Sequence, residues 1–497
     1  MATPIPSNQA VFSLGELVAA TGGRLVDADP ATTIAGISAD SRTVPAGGLF
    51  VALWVAPGGP IAFARDGHDF VAAARQRGAF PLVERSRDLA GPRLEVDDTL
   101  VALGEIARHF VARETRGRPV PALAVGGAVG KTTTKTLAAA AAEALFGPVL
   151  VTAGSLNNLL GVPMTLFTLG PSHRVLVIEC GTSTTGEIPR LGRIVQPDVA
   201  LVLNADIEHS AGLGDLTAIA DEEGSLFAAA RRAAITWHED LELMSRLAQQ
   251  RSGRGIETFT FGHGTAGAPP PDVRIAGREV RDDGTTAIAL EVSARLAAGG
   301  PRPLVISTPL LGAAAANNLA AAVAATAVLR GEPLSVDELG AVAAALGAVP
   351  AVPGRLTPRR SGRILVIDDS YNANPRSMRA ALAAAREVAD RRGARLIVAL
   401  GDMLELGELS RAMHGAVLEE AERAAPALLA LVGSEMLAAV RARGLALPRL
   451  VAASSETMAP ALAMALAPGD VLLIKGSRGM RMERLLEPLA ARFGAEG

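Results

Sequence analysis

The run from Pro121 to Phe146, PALAVGGAVGKTTTKTLAAAAAEALF, constrains the fold more than any other stretch of the chain. An apolar segment of strand length passes directly into a glycine-bearing turn, and the turn opens a long alanine-rich helix. Strand-like runs recur at RVLVIEC (174–180), DVALVLN (198–204) and RAAITW (232–237), with helix-like stretches between them. Alternation of this kind predicts an α/β domain built on a mostly parallel sheet covered by helices.

The same rhythm restarts after GAVPAVPGR (347–355), whose prolines and glycines interrupt the helical pattern. It continues through RILVIDD (363–369), RLIVALGD (395–402), ALLALVG (427–433) and DVLLIKG (470–476). Ahead of both lies a segment ending near Asp97-Asp98, with the β-like GLFVAL (48–53) and the helical DFVAAARQRGA (69–79). At 497 residues the chain is too long for one ordinary core. Three domains are expected, over 1–97, 98–353 and 354–497. The glycine- and proline-rich GHGTAGAPPPD (262–272) reads as a surface turn within the middle one.

Charge and composition exclude several classes of partner. The 48 basic and 51 acidic side chains leave a net charge of -3, and no basic patch interleaved with aromatics marks a nucleic-acid surface. The single cysteine, Cys180, cannot form an internal disulfide, and the N-terminus lacks the basic start and apolar run of a signal peptide. A reducing, cytoplasmic location is expected. The mean hydropathy of +0.30 comes largely from alanine, and no stretch of about 18 strongly apolar residues argues for membrane insertion.

The turn after Val125 has the chemistry of a phosphate site in shortened form. In the common spacing G-x-x-x-x-G-K-[ST] a glycine stands five residues before Gly130, where this chain has Val125. Glycines let main-chain N–H groups approach phosphate oxygens, and the helix N-terminus adds partial positive charge. Lys131 would then pair with the terminal phosphates, and Thr132 would offer its hydroxyl to Mg²⁺. The alternative is a glycine turn before a helix with a solvated lysine. Glu179 and His209 fall at or just after predicted parallel strand ends, where ligands of open α/β sheets collect. A carboxylate and an imidazole can both serve a metal, although a solvated strand end and a loop histidine are equally consistent with position alone. IDDSYNANP (367–375) sets carboxylates and amides after another strand, as a nucleoside site or as an ordinary Asx-rich turn.

With these motifs in order, the chain resembles the muramyl ligase family, ATP-dependent amide-forming enzymes that include the folylpolyglutamate synthases. The family's phosphate loop is the short G-x-x-G-K-[ST]-T form, which accounts for Val125. Within the family the chain looks most like the branch that joins D-alanyl-D-alanine to UDP-N-acetylmuramoyl-tripeptide in peptidoglycan precursor synthesis. ADSRTVPAGGLFVAL (39–53), RDGHDF (65–70), GSLNNLLGVPMTL (154–166), IECGTSTTGEI (178–188), IDDSYNANPRSM (367–378), ALGDMLELGELSRAMH (399–414) and IKGSRGMRME (474–483) carry that likeness. The resemblance implies a central ATPase-like parallel sheet flanked by an N-terminal α/β domain for the uridine nucleotide substrate and a C-terminal Rossmann-like domain.

Carried over residue by residue, it assigns Gly126, Gly127, Ala128, Val129, Gly130, Lys131 and Thr132 to the ATP phosphates. Thr132, Glu179 and His209 go to magnesium, with Lys131, Glu179 and His209 as the catalytic set. Asn318, Arg355 and Asp369 match ATP-contacting positions, and Ser41, Arg42, Asn157 and Asn158 match substrate-binding ones. The implied cofactors are ATP and Mg²⁺, and the implied partners are the two peptide substrates, with the chain acting as a monomer. The sequence departs from the family pattern at Gly126 and Ala128, where hydroxyls are usual, and at Ala314 and Ala315, where a His-Asn pair is usual. Glu223 stands where many relatives carry a carbamylated lysine. It either reaches a second metal, through a water, or is a solvated helix residue. Two rival functions stand at this point: another amide ligase of the family, such as a folylpolyglutamate synthase, or a weakly active nucleotide-binding scaffold.

Overall fold

The innermost strands of the central sheet are apolar on both faces, so they need a helical layer above and below them. In the phosphate-loop strand Ala122–Gly126, Ala122 and Ala124 enter one core and Leu123 and Val125 the other. Val175–Glu179 and Val199–Val202 split their side chains in the same alternating way. The structure is a computed structural model describing residues 3–54, 65–206, 213–281, 285–443 and 449–494.

Among these residues the central sheet has nine strands. Its order is Val149–Val151, Val175–Glu179, Ala122–Gly126, Val199–Val202, Ala233–Trp237, Glu257–Gly262, Val273–Val280, Thr286–Val292 and Arg302–Thr308. The first seven run parallel, and each of the last two pairs antiparallel with the strand before it. The parallel part follows the sequence pattern. The antiparallel edge is marked by alternating burial along Arg302–Thr308, the signature of a sheet with one wet face.

One face of the sheet is covered by the helices Lys131–Phe146, Gly312–Arg330 and Val336–Ala348. Gly312–Arg330 is, among the described residues, the one helix long and apolar enough to cross a membrane, yet 78% of its apolar window is buried inside the fold. The other face carries the helices Thr99–Glu114 and Glu187–Val195. Asp98 caps Thr99–Glu114, its carboxylate accepting the N–H groups of Leu100 and Val101, both at 2.8 Å. That helix also packs on the N-terminal helix Leu14–Thr21. Phe12, Phe110 and Phe167 meet there, with ring centroids 5.7–6.4 Å apart.

Among its described residues the N-terminal segment forms a five-stranded sheet, with a separate two-stranded pairing of Val11–Ser13 and Thr33–Ala35. The described C-terminal residues form a six-stranded sheet ordered Thr357–Ser361, Ile364–Asp369, Val471–Lys475, Leu396–Gly401, Leu428–Val432 and Arg449–Ala452, parallel except for the first pair. Its helix Pro375–Arg391 packs against Gly312–Arg330. On the same helix, Glu387 takes Arg278 at 2.8 Å, and Arg376 lies 3.5 Å from Asp206 and 4.6 Å from the Trp237 ring centre. The carboxyl ends of the two large sheets thereby face one cavity.

Candidate active site

The phosphate loop leaves its strand between the ends of Val175–Glu179 and Val199–Val202. Successive strands are laid down on opposite sides of this position, which is where open parallel sheets leave a crevice. Gly127 and Gly130 hold φ values of 116° and 95°. A β-carbon on Gly127 would lie 2.8 Å from the Leu203 nitrogen, and one on Gly130 would lie 2.6 Å from Asn318 Oδ1. Only glycine fits a loop pressed this closely between a strand end and a helix.

Asn204 pins the loop. Its Oδ1 accepts the Val129 N–H at 2.9 Å, its Nδ2 donates to the Val129 carbonyl at 2.8 Å, and its own carbonyl accepts the Ala128 N–H at 2.9 Å. Lys131 begins the helix and donates to the carbonyls of Gly127 and Ala128. The amino end of Lys131–Phe146 points into the cavity and favours an anion there.

Glu179, at the end of the adjacent strand, is buried. Its Oε1 accepts from the Thr132 hydroxyl at 3.1 Å and from Asn157 Nδ2 at 2.8 Å, while Lys135 Nζ lies 3.1 Å from Oε2. Among the described residues no three His, Cys, Asp or Glu groups cluster as a metal cage. What fits magnesium is the pair of hard oxygens on Thr132 and Glu179, because Mg²⁺ is held by few protein oxygens beside waters and phosphates. His209 lies outside the described residues.

Glu223 sits beneath the loop rather than in solvent. It is 2% exposed, and its Oε2 accepts the Gly127 N–H at 2.7 Å. The reading of Glu223 as a solvated helix residue is therefore wrong: its helix, Leu216–Gly224, turns this face inward. A β-carbon on Gly126 would come within 3.2 Å of that carboxylate oxygen, so glycine at 126 leaves the space that Glu223 fills. Cys180, next to Glu179, is buried, and desolvation, with the Glu223 and Glu179 charges, pushes its thiol up.

The opposite wall comes from the C-terminal sheet. Arg355 Nη2 reaches the Thr132 hydroxyl at 3.3 Å, and its guanidinium lies 4.3 Å from the Tyr371 ring centre. Arg478 covers the same ring at 5.6 Å. Asp369 pairs with the buried Lys475 at 2.6 Å and accepts the Leu356 N–H at 3.0 Å. Burial pushes the Asp369 carboxyl up, and Lys475 opposes that shift. Lys475 also donates to the Asn372 carbonyl at 2.9 Å. Asn374 is an N-cap, reciprocally bonded with Ser377 at the start of Pro375–Arg391. IDDSYNANP thus supplies both an Asx cap and cavity-lining groups.

The cavity holds about 300 Å³. It gathers Ala128, Val129, Gly130, Lys131, Thr132, Asn157, Asn158, Glu179, Asn318, Arg355 and Asp369 of the sequence-predicted set. Gly126, Gly127 and Glu223 lie behind the loop and do not line it. Ser41 and Arg42 are also absent from its wall; Ser41 is buried in the N-terminal segment and Arg42 is exposed, paired with Asp40 at 2.8 Å. Asn158 acts locally, its Oδ1 accepting the Leu160 and Gly161 N–H groups. Sequence reasoning missed Asn204, Lys135, Tyr371 and Lys475. Asn204 carried a signal, being the first polar residue after DVALVL, at a parallel strand end.

Residues 125–326 match the Mur ligase middle domain, and residues 354–478 match the Mur ligase, glutamate ligase domain. The UDP-N-acetylmuramoyl-tripeptide--D-alanyl-D-alanine ligase of Escherichia coli K12 is 33% identical over 482 residues, covering 96% of this chain and 98% of that protein. The chain belongs to the Mur ligase family. Among solved structures, MurF from Acinetobacter baumannii superposes with a TM-score of 0.81 at 27% identity, covering 98% of this chain and all of that one. The MurF ligase from Thermotoga maritima in complex with ADP gives 0.75 at 24% identity, covering 92% and 97%. A folylpolyglutamate synthase from Mycobacterium tuberculosis complexed with ADP shares the fold more distantly, at 0.61 and 17% identity, covering 78% of this chain and 94% of that one. Ala314 and Ala315 line the cavity beside Asn318.

Proposed function

We propose that this chain is an ATP-dependent ligase that joins D-alanyl-D-alanine to UDP-N-acetylmuramoyl-tripeptide in peptidoglycan precursor synthesis. The observation that carries this reading is a single cavity holding both the phosphate loop and the Arg355–Tyr371–Asp369 wall, in a chain aligned end to end with a ligase of that name. The folylpolyglutamate alternative has the weaker support of a more distant likeness.

A carboxylate cannot be attacked by an amine at neutral pH, since oxide is not a leaving group. The terminal phosphoryl of ATP is therefore passed to the tripeptide's carboxylate, giving an acyl phosphate and ADP. The amine of D-alanyl-D-alanine then attacks the acyl carbon, and the collapsing tetrahedral intermediate expels inorganic phosphate. Phosphoryl transfer needs positioning and charge neutralisation. Lys131 supplies a cation at the loop mouth, and the loop N–H groups and helix end supply directed dipoles. Thr132 and Glu179 are the residues that would hold Mg²⁺, with His209 as a further candidate; the bound ion neutralises phosphate charge. Asn157 keeps the Glu179 carboxylate turned toward the cavity. Arg355 bridges the walls at Thr132, and closure there excludes water that would hydrolyse the acyl phosphate.

In this reading residues 1–97, with Ser41 and Arg42, hold the uridine nucleotide, 98–353 hold the ATP phosphates, and 354–497 serve the nucleoside and dipeptide. The enzyme acts as a cytoplasmic monomer. The test is to incubate it with ATP, Mg²⁺, D-alanyl-D-alanine and the UDP-muramyl tripeptide carrying either lysine or diaminopimelate. A pentapeptide product by mass is expected. Phosphate release that ignores both peptide substrates would instead identify a nucleotide-binding scaffold.

A further inference from the structure

Lys135 is one turn beyond Lys131 on the same helix, and it is 3% exposed. A buried ammonium needs acceptors for its protons and an opposite charge nearby. Lys135 donates to the carbonyls of Thr152 at 2.7 Å and Gly154 at 3.0 Å, and it faces Glu179 Oε2 at 3.1 Å. Oε2 has no aligned hydrogen-bond donor of its own, so its partner is the Lys135 charge. The other oxygen, Oε1, is turned to Thr132 and Asn157 at the cavity. The two oxygens of one carboxylate thus have different jobs. The Thr152 hydroxyl completes the mount by accepting the Glu179 N–H at 2.9 Å.

We propose that Lys135 is a positioning residue that occupies one oxygen of Glu179, so that the carboxylate offers a cation only the other and the site favours Mg²⁺ over Ca²⁺. The inference rests on the reading that Thr132 and Glu179 hold the metal. Calcium accepts carboxylates through both oxygens in loose, many-liganded shells, whereas magnesium requires a compact octahedron and retains its waters. Holding one oxygen on an ammonium removes the two-oxygen mode and leaves the mode that magnesium uses. The same ammonium ties down Thr152 and Gly154, at the start of the loop that brings Ser155, Asn157 and Asn158 to the cavity.

The experiment is calorimetric titration of ADP into the full-length protein in EDTA, in saturating Mg²⁺ and in saturating Ca²⁺. The unmodified protein should bind ADP more tightly with Mg²⁺ than with Ca²⁺, and with either more tightly than in EDTA. Lys135→Met should keep the EDTA affinity while its Mg²⁺-to-Ca²⁺ preference falls by roughly 10- to 100-fold, the size of effect seen when a residue supporting a metal ligand is removed. Lys135→Arg keeps the buried charge and hence the fold, but its forked donors cover both carboxylate oxygens, so the gain from either metal should be lost. A folded Lys135→Met with the original preference would overturn the proposal. If that variant does not fold, Lys135→Arg decides, and an unchanged Mg²⁺ gain in it refutes the proposal equally. No difference between EDTA and Mg²⁺ in the unmodified protein would instead overturn the metal reading on which it rests.

Discussion

The carboxyl edges of the central and C-terminal sheets each carry a buried lysine–carboxylate pair, and the two pairs are finished differently. In the central sheet Lys135 holds one oxygen of Glu179, and the other meets the hydroxyl and amide of Thr132 and Asn157 at the cavity. In the C-terminal sheet Lys475 holds Asp369, whose second oxygen is taken by the Leu356 N–H of the connecting segment. Both lysines also clamp main-chain carbonyls of cavity loops. Both carboxylates line the cavity, but the first keeps an oxygen turned toward it, whereas the second directs its remaining oxygen to the chain that joins the sheets. A buried ion pair is by itself weak evidence for function, and the destination of the remaining oxygen is what separates the two cases.

This contrast can be broken most forcefully at the chemical end. Lys131→Ala removes the loop-mouth cation without touching a core, so turnover should fall by about 10²–10³-fold or more with an unchanged thermal transition. Near-normal product formation by the folded variant would end the assignment. At the structural end, Lys475→Met strands a buried carboxylate, and circular dichroism in urea should record a loss of about 3–5 kcal/mol. Asp369→Asn combined with Lys475→Met should regain most of it, since asparagine still accepts the Leu356 N–H. If the double variant is no more stable than Lys475→Met alone, the pair is not the structural one described.

Two smaller effects sharpen the central side. Asn204→Ala deletes both side-chain bonds to Val129, and ADP affinity should weaken by about tenfold, consistent with leaving half-buried loop groups unsatisfied. Unchanged ADP binding would mean that the loop holds its shape without Asn204. Glu223→Gln retains an acceptor for the Gly127 N–H, so its effect on ADP affinity and on magnesium requirement should be smaller still, and bicarbonate depletion should leave the unmodified enzyme's rate unchanged. A large rise in the magnesium requirement would draw Glu223 into the metal site.

The central parallel strands of both sheets were legible because strands buried on both faces must be written as continuous apolar runs; Val149–Val151, Glu257–Gly262, Val273–Val280 and Arg449–Ala452, only partly buried, were not. Gly130-Lys131-Thr132 was legible as a strand-to-helix turn because a glycine, held at a φ of 95°, stands directly before the helical run. The buried pairs were not. Lys135 and Glu179 are 44 positions apart, Asp369 and Lys475 are 106 apart, and a lysine in a helix reads as solvated until the fold brings a carboxylate to it. Glu223 failed for the same reason: an acidic run that looks like a wet face becomes a support once its helix packs under Gly127. The antiparallel edge was written in the alternation of RPLVIST, but helix-strand alternation elsewhere outweighed it.

The aromatic contact among Phe12, Phe110 and Phe167 bears on how such a protein can be rearranged. These rings come from the first strand, the helix after Asp98 and the segment following Gly161–Leu166, and they belong to one continuous core. A cut at residue 97 would therefore leave Phe110 and Phe167 facing water rather than release a self-sufficient module. Grafting a relative's first segment onto this chain would demand a matching helix Thr99–Glu114 with it, so the first segment and the domain that follows are tied to change together, through hydrocarbon rather than through the cavity.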